Sequence, residues 1–232
     1  MSQIPWGSVD RGCLDRMSYK LIIFDLDGTL LDSFHWFQSV LSAMADKYGF
    51  ERVDDVESMR GKTSRELLEA LNVPLWRLPR IASDMRKLKS RYLDQTPLFP
   101  GVPQMLSELV HGGLTVAIVT SDSEENTRRA LGTSVSCVGH FACGASLFGK
   151  ARKFKQVMKA TGMPAESTLT IGDELRDAEA ADAAGIDFAG VSWGYATVQA
   201  LAKSNPVRIF VRVDEIPVWL LRDRSRGPAR AI

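Results

Sequence analysis

A short apolar run ending in two closely spaced carboxylates constrains this chain more than any other feature. Lys20-Leu21-Ile22-Ile23-Phe24 leads into Asp25-Leu26-Asp27-Gly28-Thr29. Leu21 to Phe24 has the β-branched and aromatic content of a strand buried on both faces. Buried carboxylates are costly unless a cation, a metal or a substrate neutralises them. Gly28 lets the chain turn tightly away. A buried strand that delivers Asp-x-Asp-Gly-Thr into a cleft points to a carboxylate nucleophile, a second carboxylate for proton transfer and a divalent cation between them.

Further apolar runs repeat the pattern. Leu114 to Val119 ends at Thr120-Ser121-Asp122, Thr168 to Ile171 at Gly172-Asp173, and Ile186 to Val191 at Ser192-Trp193-Gly194. A weaker run covers Val207 to Val211, and a short strand is possible at His140 to Ala142. Helical patterns fill gaps between them: Gly101 to His111, Arg152 to Thr161 and Asp177 to Ala184, each closed by a glycine. This alternation predicts an α/β fold, a Rossmann-like parallel sheet with helices on both faces. Small or acidic polar groups end several strands, and open parallel sheets bind ligands at that rim.

Residues 34–96 break the alternation. They read as helices at Phe34 to Tyr48, Ser64 to Leu71 and Leu75 to Tyr92, with Asp32-Ser33 as the cap of the first. A βαβ crossover needs little more than a dozen residues, so the segment predicts an inserted all-helical cap domain over the rim. The expected organisation is an α/β core at 18–33 and 97–222, the cap at 34–96, a disordered N-terminal extension at 1–17 and a basic tail at 223–232.

Composition narrows the partners. A formal net charge of +1 excludes a global basic field for nucleic acid. No apolar run approaches the ~18 residues of a membrane span, and the N-terminal stretch is too polar for a secretion signal. Three cysteines, Cys13, Cys137 and Cys143, have neither metal-like spacing nor an even count, which suits a reducing, cytoplasmic setting. A monomer or a homodimer is expected.

Asp25-x-Asp27-Gly28-Thr29, Thr120-Ser121, Lys150 and Gly172-Asp173-x-x-x-Asp177, in that order, resemble the four motifs of the haloacid dehalogenase superfamily. The helical insert resembles the small cap of its phosphoglycolate phosphatase-like branch, as do Pro100-Gly101-Val102 and Val191-Ser192-Trp193-Gly194-Tyr195. The resemblance implies that dehalogenases lack the second aspartate, because halide leaves without a proton, so Asp27 favours phosphoryl transfer. The expected enzyme is a Mg²⁺-dependent phosphatase acting on a small phosphorylated metabolite through an aspartyl-phosphate.

Each position has a chemical reason. Asp25 attacks phosphorus and splits one hard displacement into two. Asp27 protonates the leaving oxygen and then activates water. Asp173 and Asp177, four apart and on one face if helical, join Asp25 and the Asp27 carbonyl as a hard-oxygen Mg²⁺ site. The resemblance makes Asp173 the direct ligand and Asp177 one that acts through water. Lys150 is preferred to Lys153 as the second cation. The Thr120 hydroxyl, the Ser121 N–H and the Gly28 and Thr29 N–H groups form the phosphoryl cradle. Arg60-Gly61-Lys62-Thr63 is either a reach toward a distal anionic group of the substrate or a solvated turn. Two alternatives stay open: a phosphomutase of the same superfamily, and a non-catalytic regulator that binds a phosphometabolite.

Overall fold

The computed structural model describes residues 19–52, 55, 57–146 and 148–222. The expected extension and basic tail lie outside them. Six strands, β1 (Leu21–Phe24), β2 (Thr115–Val119), β3 (His140–Ala142), β4 (Thr168–Gly172), β5 (Asp187–Val191) and β6 (Arg208–Phe210), form one sheet. Every pairing in it is parallel, in the order β3-β2-β1-β4-β5-β6.

The helices in chain order are α1 (Phe34–Tyr48), α2 (Ser64–Ala70), α3 (Leu78–Arg91), α4 (Val102–His111), α5 (Glu124–Leu131), α6 (Lys150–Thr161), α7 (Leu175–Ala184), α8 (Val198–Ala202) and α9 (Glu215–Leu221). Among the described residues, none is long and apolar enough to cross a membrane.

The strand residues sort by parity, as a pleated ribbon requires. Ile22 and Phe24 of β1 enter one apolar core with Leu106 and Leu109 of α4 and Ile216 of α9. Leu21 and Ile23 enter the other with Phe154 and Val157 of α6 and Ala181 of α7. Both faces of β1 are thus covered, which is why its sequence is apolar throughout rather than alternating. Burial of each such Leu, Ile or Phe stabilises the sheet by about 1.5–3 kcal/mol.

Helices α1, α2 and α3 form the insertion between β1 and β2. Its entry and exit run side by side through a narrow neck. Leu31 pairs antiparallel with Leu98, the Asp32 N–H donates to the Pro97 carbonyl at 2.8 Å, and the Phe99 N–H donates to the Leu30 carbonyl at 2.9 Å.

Two local expectations need correction. The pattern from Leu75 to Tyr92 is not one helix: Leu75–Arg77 is a 3₁₀ turn and α3 begins at Leu78. Pro79 has no N–H to give and is tolerated only in a first turn, so the helix starts around it. Ser33 precedes α1 without a side-chain capping bond. Its hydroxyl faces the Tyr195 hydroxyl at 3.0 Å instead.

Candidate active site

Strand order places the acidic residues. β1 and β4 are neighbours in the sheet although 144 residues separate Thr29 from Asp173. The Asp25 N–H continues their ladder by donating to the Ile171 carbonyl at 2.9 Å. Asp25 therefore leaves the end of β1 beside Asp173, which follows β4. Asp25, Asp173 and Asp177 each offer a carboxylate oxygen within 4.8 Å of the others, and all three are buried.

The expectation that Asp173 and Asp177 share a helix face needs correction. Asp173 precedes α7, and the turn from β4 into that helix brings the two together. Asp177 lies in the first turn, where an acid suits the N-terminal dipole. Its Oδ2 accepts the Glu174 N–H at 3.1 Å.

Lys150 opens α6 and is buried. Its Nζ lies 2.8 Å from Asp25 Oδ1 and also contacts Asp177 Oδ1. Of the two lysines considered, this is the one placed against Asp25. The centre thus holds three carboxylates around one ammonium, and the neighbouring Arg176 guanidinium is paired with Glu174 at 2.6 Å. Burial raises the Asp25 carboxyl above its ordinary value, against the pull of Lys150. Burial, then the charges of Glu174, Asp25 and Asp177, raise Asp173 further. Asp25 Oδ2 is buried with no hydrogen-bond partner among the described residues. An orphaned hard oxygen in an acidic cluster short of positive charge fits a divalent cation with oxygen ligands, Mg²⁺ among them.

The Asp173 carboxylate is held from both sides. The Thr29 hydroxyl donates to Oδ1 and the Tyr195 N–H to Oδ2, each at 2.7 Å. Second contacts of this kind orient a ligand before metal arrives. Two glycines make room. A Cβ on Gly28, whose φ is +79°, would fall 2.1 Å from Asp173 Oδ2, and one on Gly194 would fall 2.1 Å from Asp173 Cβ.

The expected phosphoryl cradle is only partly open. The Gly28 N–H is spent on the Leu31 carbonyl at 2.9 Å, so Gly28 acts through the space it leaves rather than as a donor. Thr120 is buried at the end of β2, where its hydroxyl oxygen accepts the Asp122 N–H at 3.0 Å. The Ser121 carbonyl accepts from Arg86 at 3.1 Å.

The family model of haloacid dehalogenase-like hydrolases matches residues 22–191, which contain the four motifs from Asp25 to Asp177. The chain belongs to the haloacid dehalogenase-like hydrolases. Within them it stands in the phosphoglycolate phosphatase-like branch. A phosphoglycolate phosphatase of Synechococcus elongatus is 30% identical over 194 residues, covering 81% of this chain and 90% of that protein. One from Mesorhizobium japonicum is 28% identical over 219 residues, 88% of this chain and 96% of that protein. The solved structure of a haloacid dehalogenase-like family hydrolase from Streptococcus pneumoniae shares the fold. Its TM-score is 0.71 at 22% identity, over 87% of this chain and 98% of that one. The buried aspartate cluster is the metal-coordination motif of this hydrolase family.

The hydrolase also places at this centre residues that sequence reasoning did not select. Lys89, on α3 of the insertion, is buried and reaches into the core. Its Nζ contacts Asp27 Oδ1 and lies 2.9 Å from Asp122 Oδ2. Burial raises the Asp27 carboxyl, but the Lys89 charge and the hydrogen bonds from Lys89 and Ser33 hold it below the usual range. Asp122 is fixed in turn, accepting the Ser123 N–H at 2.7 Å and Asn126 Nδ2 at 2.8 Å.

Lys89→Met keeps the bulk and removes the cation that both acids share. Breaking a buried pair costs about 3–5 kcal/mol, and the lower end applies here because the Asp27 side chain is 20% exposed. We expect a loss of about 3 kcal/mol in urea denaturation and a fall in kcat of about tenfold or more as Asp27 loses its orientation. An unchanged kcat would dismiss Lys89 as the group that orients Asp27.

Proposed function

We propose that the chain hydrolyses a small phosphate monoester, with Asp25 as nucleophile and Asp27 as acid and base. The observation that carries this reading is the buried cluster of Asp25, Asp173 and Asp177, with Asp27 two residues beyond the nucleophile. Asp25 attacks phosphorus and forms an acyl-phosphate while the P–O bond to the alcohol breaks. Asp27, which Lys89 holds ionised at rest, takes up a proton as the substrate's negative charge arrives beside it and gives that proton to the leaving oxygen. It then takes one from the water that attacks the acyl-phosphate and frees inorganic phosphate. Lys150, the Thr120 hydroxyl and the N–H groups of Ser121 and Thr29 hold the phosphoryl oxygens. Asp25, the Asp27 carbonyl and Asp173 would hold Mg²⁺ directly, with Asp177 at one remove. The ion would supply positive charge for the phosphoryl oxygens beside the carboxylate nucleophile.

The two relatives described above are named as phosphoglycolate phosphatases. With them in view, we assign the substrate to the small phosphorylated metabolites and make phosphoglycolate the first compound to try. Residues 34–96 act as the cap unit in this reading, and a cytoplasmic monomer or homodimer is the working form. The test is a phosphate-release screen over a metabolite panel in Mg²⁺ buffer. Release of inorganic phosphate from a small monoester is expected. A rearranged sugar phosphate with little free phosphate would turn the assignment to a mutase. Binding without turnover across the panel would turn it to a sensor.

A further inference from the structure

Arg60 lies in the insertion just before α2, yet its guanidinium ends on the core. Nε donates to the Tyr195 carbonyl and Nη2 to the Gly194 carbonyl, each at 2.8 Å. Nη1 pairs with Glu57 at 2.9 Å, and the Phe34 ring centre lies 5.1 Å from the guanidinium carbon. The contact is returned, because the Thr197 N–H donates to the Arg60 carbonyl at 3.2 Å. Arg60 is therefore neither a solvated turn nor a side chain free to reach a distal anion.

Its placement has a consequence for Asp173. The Gly194 carbonyl and the Tyr195 N–H belong to one planar peptide group. Arg60 grips the oxygen end of that plane, and the nitrogen end donates to Asp173 Oδ2 at 2.7 Å. A cation on a peptide carbonyl also polarises the N–H across the same group, which strengthens the donor. Tyr195 is further fixed by Phe34 and Phe37 of α1, at ring separations of 5.2 and 5.6 Å.

From this geometry we infer that Arg60 is a positioning residue for the metal centre: it sets Mg²⁺ affinity from the insertion by fixing the Gly194–Tyr195 peptide that aims Asp173. Coupling of this kind is reciprocal. Ion binding at Asp173 therefore tightens the hold of the insertion on the core. The inference rests on the Mg²⁺ reading above.

The test is calorimetric titration of the full chain with Mg²⁺ alone, without any phosphate compound. Loss of a contact that orients a ligand costs about 10–100-fold in metal affinity, and Arg60→Ala should fall in that range. Arg60→Lys, which keeps one cationic donor, should recover part of it. Arg52→Ala, on an exposed ion pair of the insertion with Asp46, should titrate as wild type. A wild-type isotherm for Arg60→Ala would overturn the inference and leave the metal reading standing. Absence of Mg²⁺ binding by the wild-type protein would overturn both. Hydrogen exchange on the wild-type chain gives a second readout that needs no variant. Mg²⁺ should slow amide exchange across 57–63, and an unchanged rate there would also overturn the coupling.

Discussion

Asp25→Asn should abolish turnover of an aryl phosphate in Mg²⁺ buffer, by about 10⁵-fold or more if the nucleophile is irreplaceable. An amide of the same shape cannot form the acyl-phosphate, so the two-step route has no first step. The fold should survive. Lys150 keeps Asp177 as a partner, and the substitution removes one of the charges that raise Asp173. The metal-free Asp25→Asn variant should therefore melt no lower than wild type, which separates loss of chemistry from loss of structure. Steady-state phosphate release, a thermal melt and intact-protein mass spectrometry for the phosphoryl adduct check this together. Full activity in the variant would reject the mechanism.

Chelation should have an effect of similar size. EDTA is expected to bring turnover to background, and excess Mg²⁺ to restore it. A phosphate monoester must approach Asp25 among like charges, and each close pair costs about 4 kcal/mol at ~4 Å and an effective dielectric near 20. Lys150 is a single positive charge already divided between Asp25 and Asp177. It cannot offset that repulsion alone. Indifference of the rate to EDTA would refute the metal assignment, whatever the outcome at Asp25.

The parts of the molecule that were legible are those where local pattern and global placement agree. Leu21–Phe24 reads as a doubly buried strand and is one. The polar residues after β1, β2 and β4 mark the rim because a parallel sheet aligns those ends. Lys150 could be preferred to Lys153 from its place after Gly149, just before a helical pattern, and it is Lys150 that pairs with Asp25. Lys89 was not legible. It stands among Arg86, Lys87 and Arg91 on a strongly basic helix, a pattern that normally means a solvated face. Only the packing of α3 on the core turns Lys89 inward and brings Arg86 to the Ser121 carbonyl. Arg60 was ambiguous for the same reason: its partners are backbone carbonyls, and carbonyls leave no trace in a sequence. Helices α5, α8 and α9 leave no legible pattern because, at eight, five and seven residues, they are too brief for periodicity to show.

The paired entry and exit at Leu31 and Leu98 also bear on how such a protein can diversify. Because the inserted helices leave and rejoin the sheet at adjacent points, their exchange need not alter the strand order. Under the proposed function, the stretch facing the substrate could then change within one contiguous piece of gene while the acidic residues at the strand ends stay in place. The constraint on any transplanted stretch is that it keep a basic side chain at each of two anchor points, the places now held by Arg60 and Lys89.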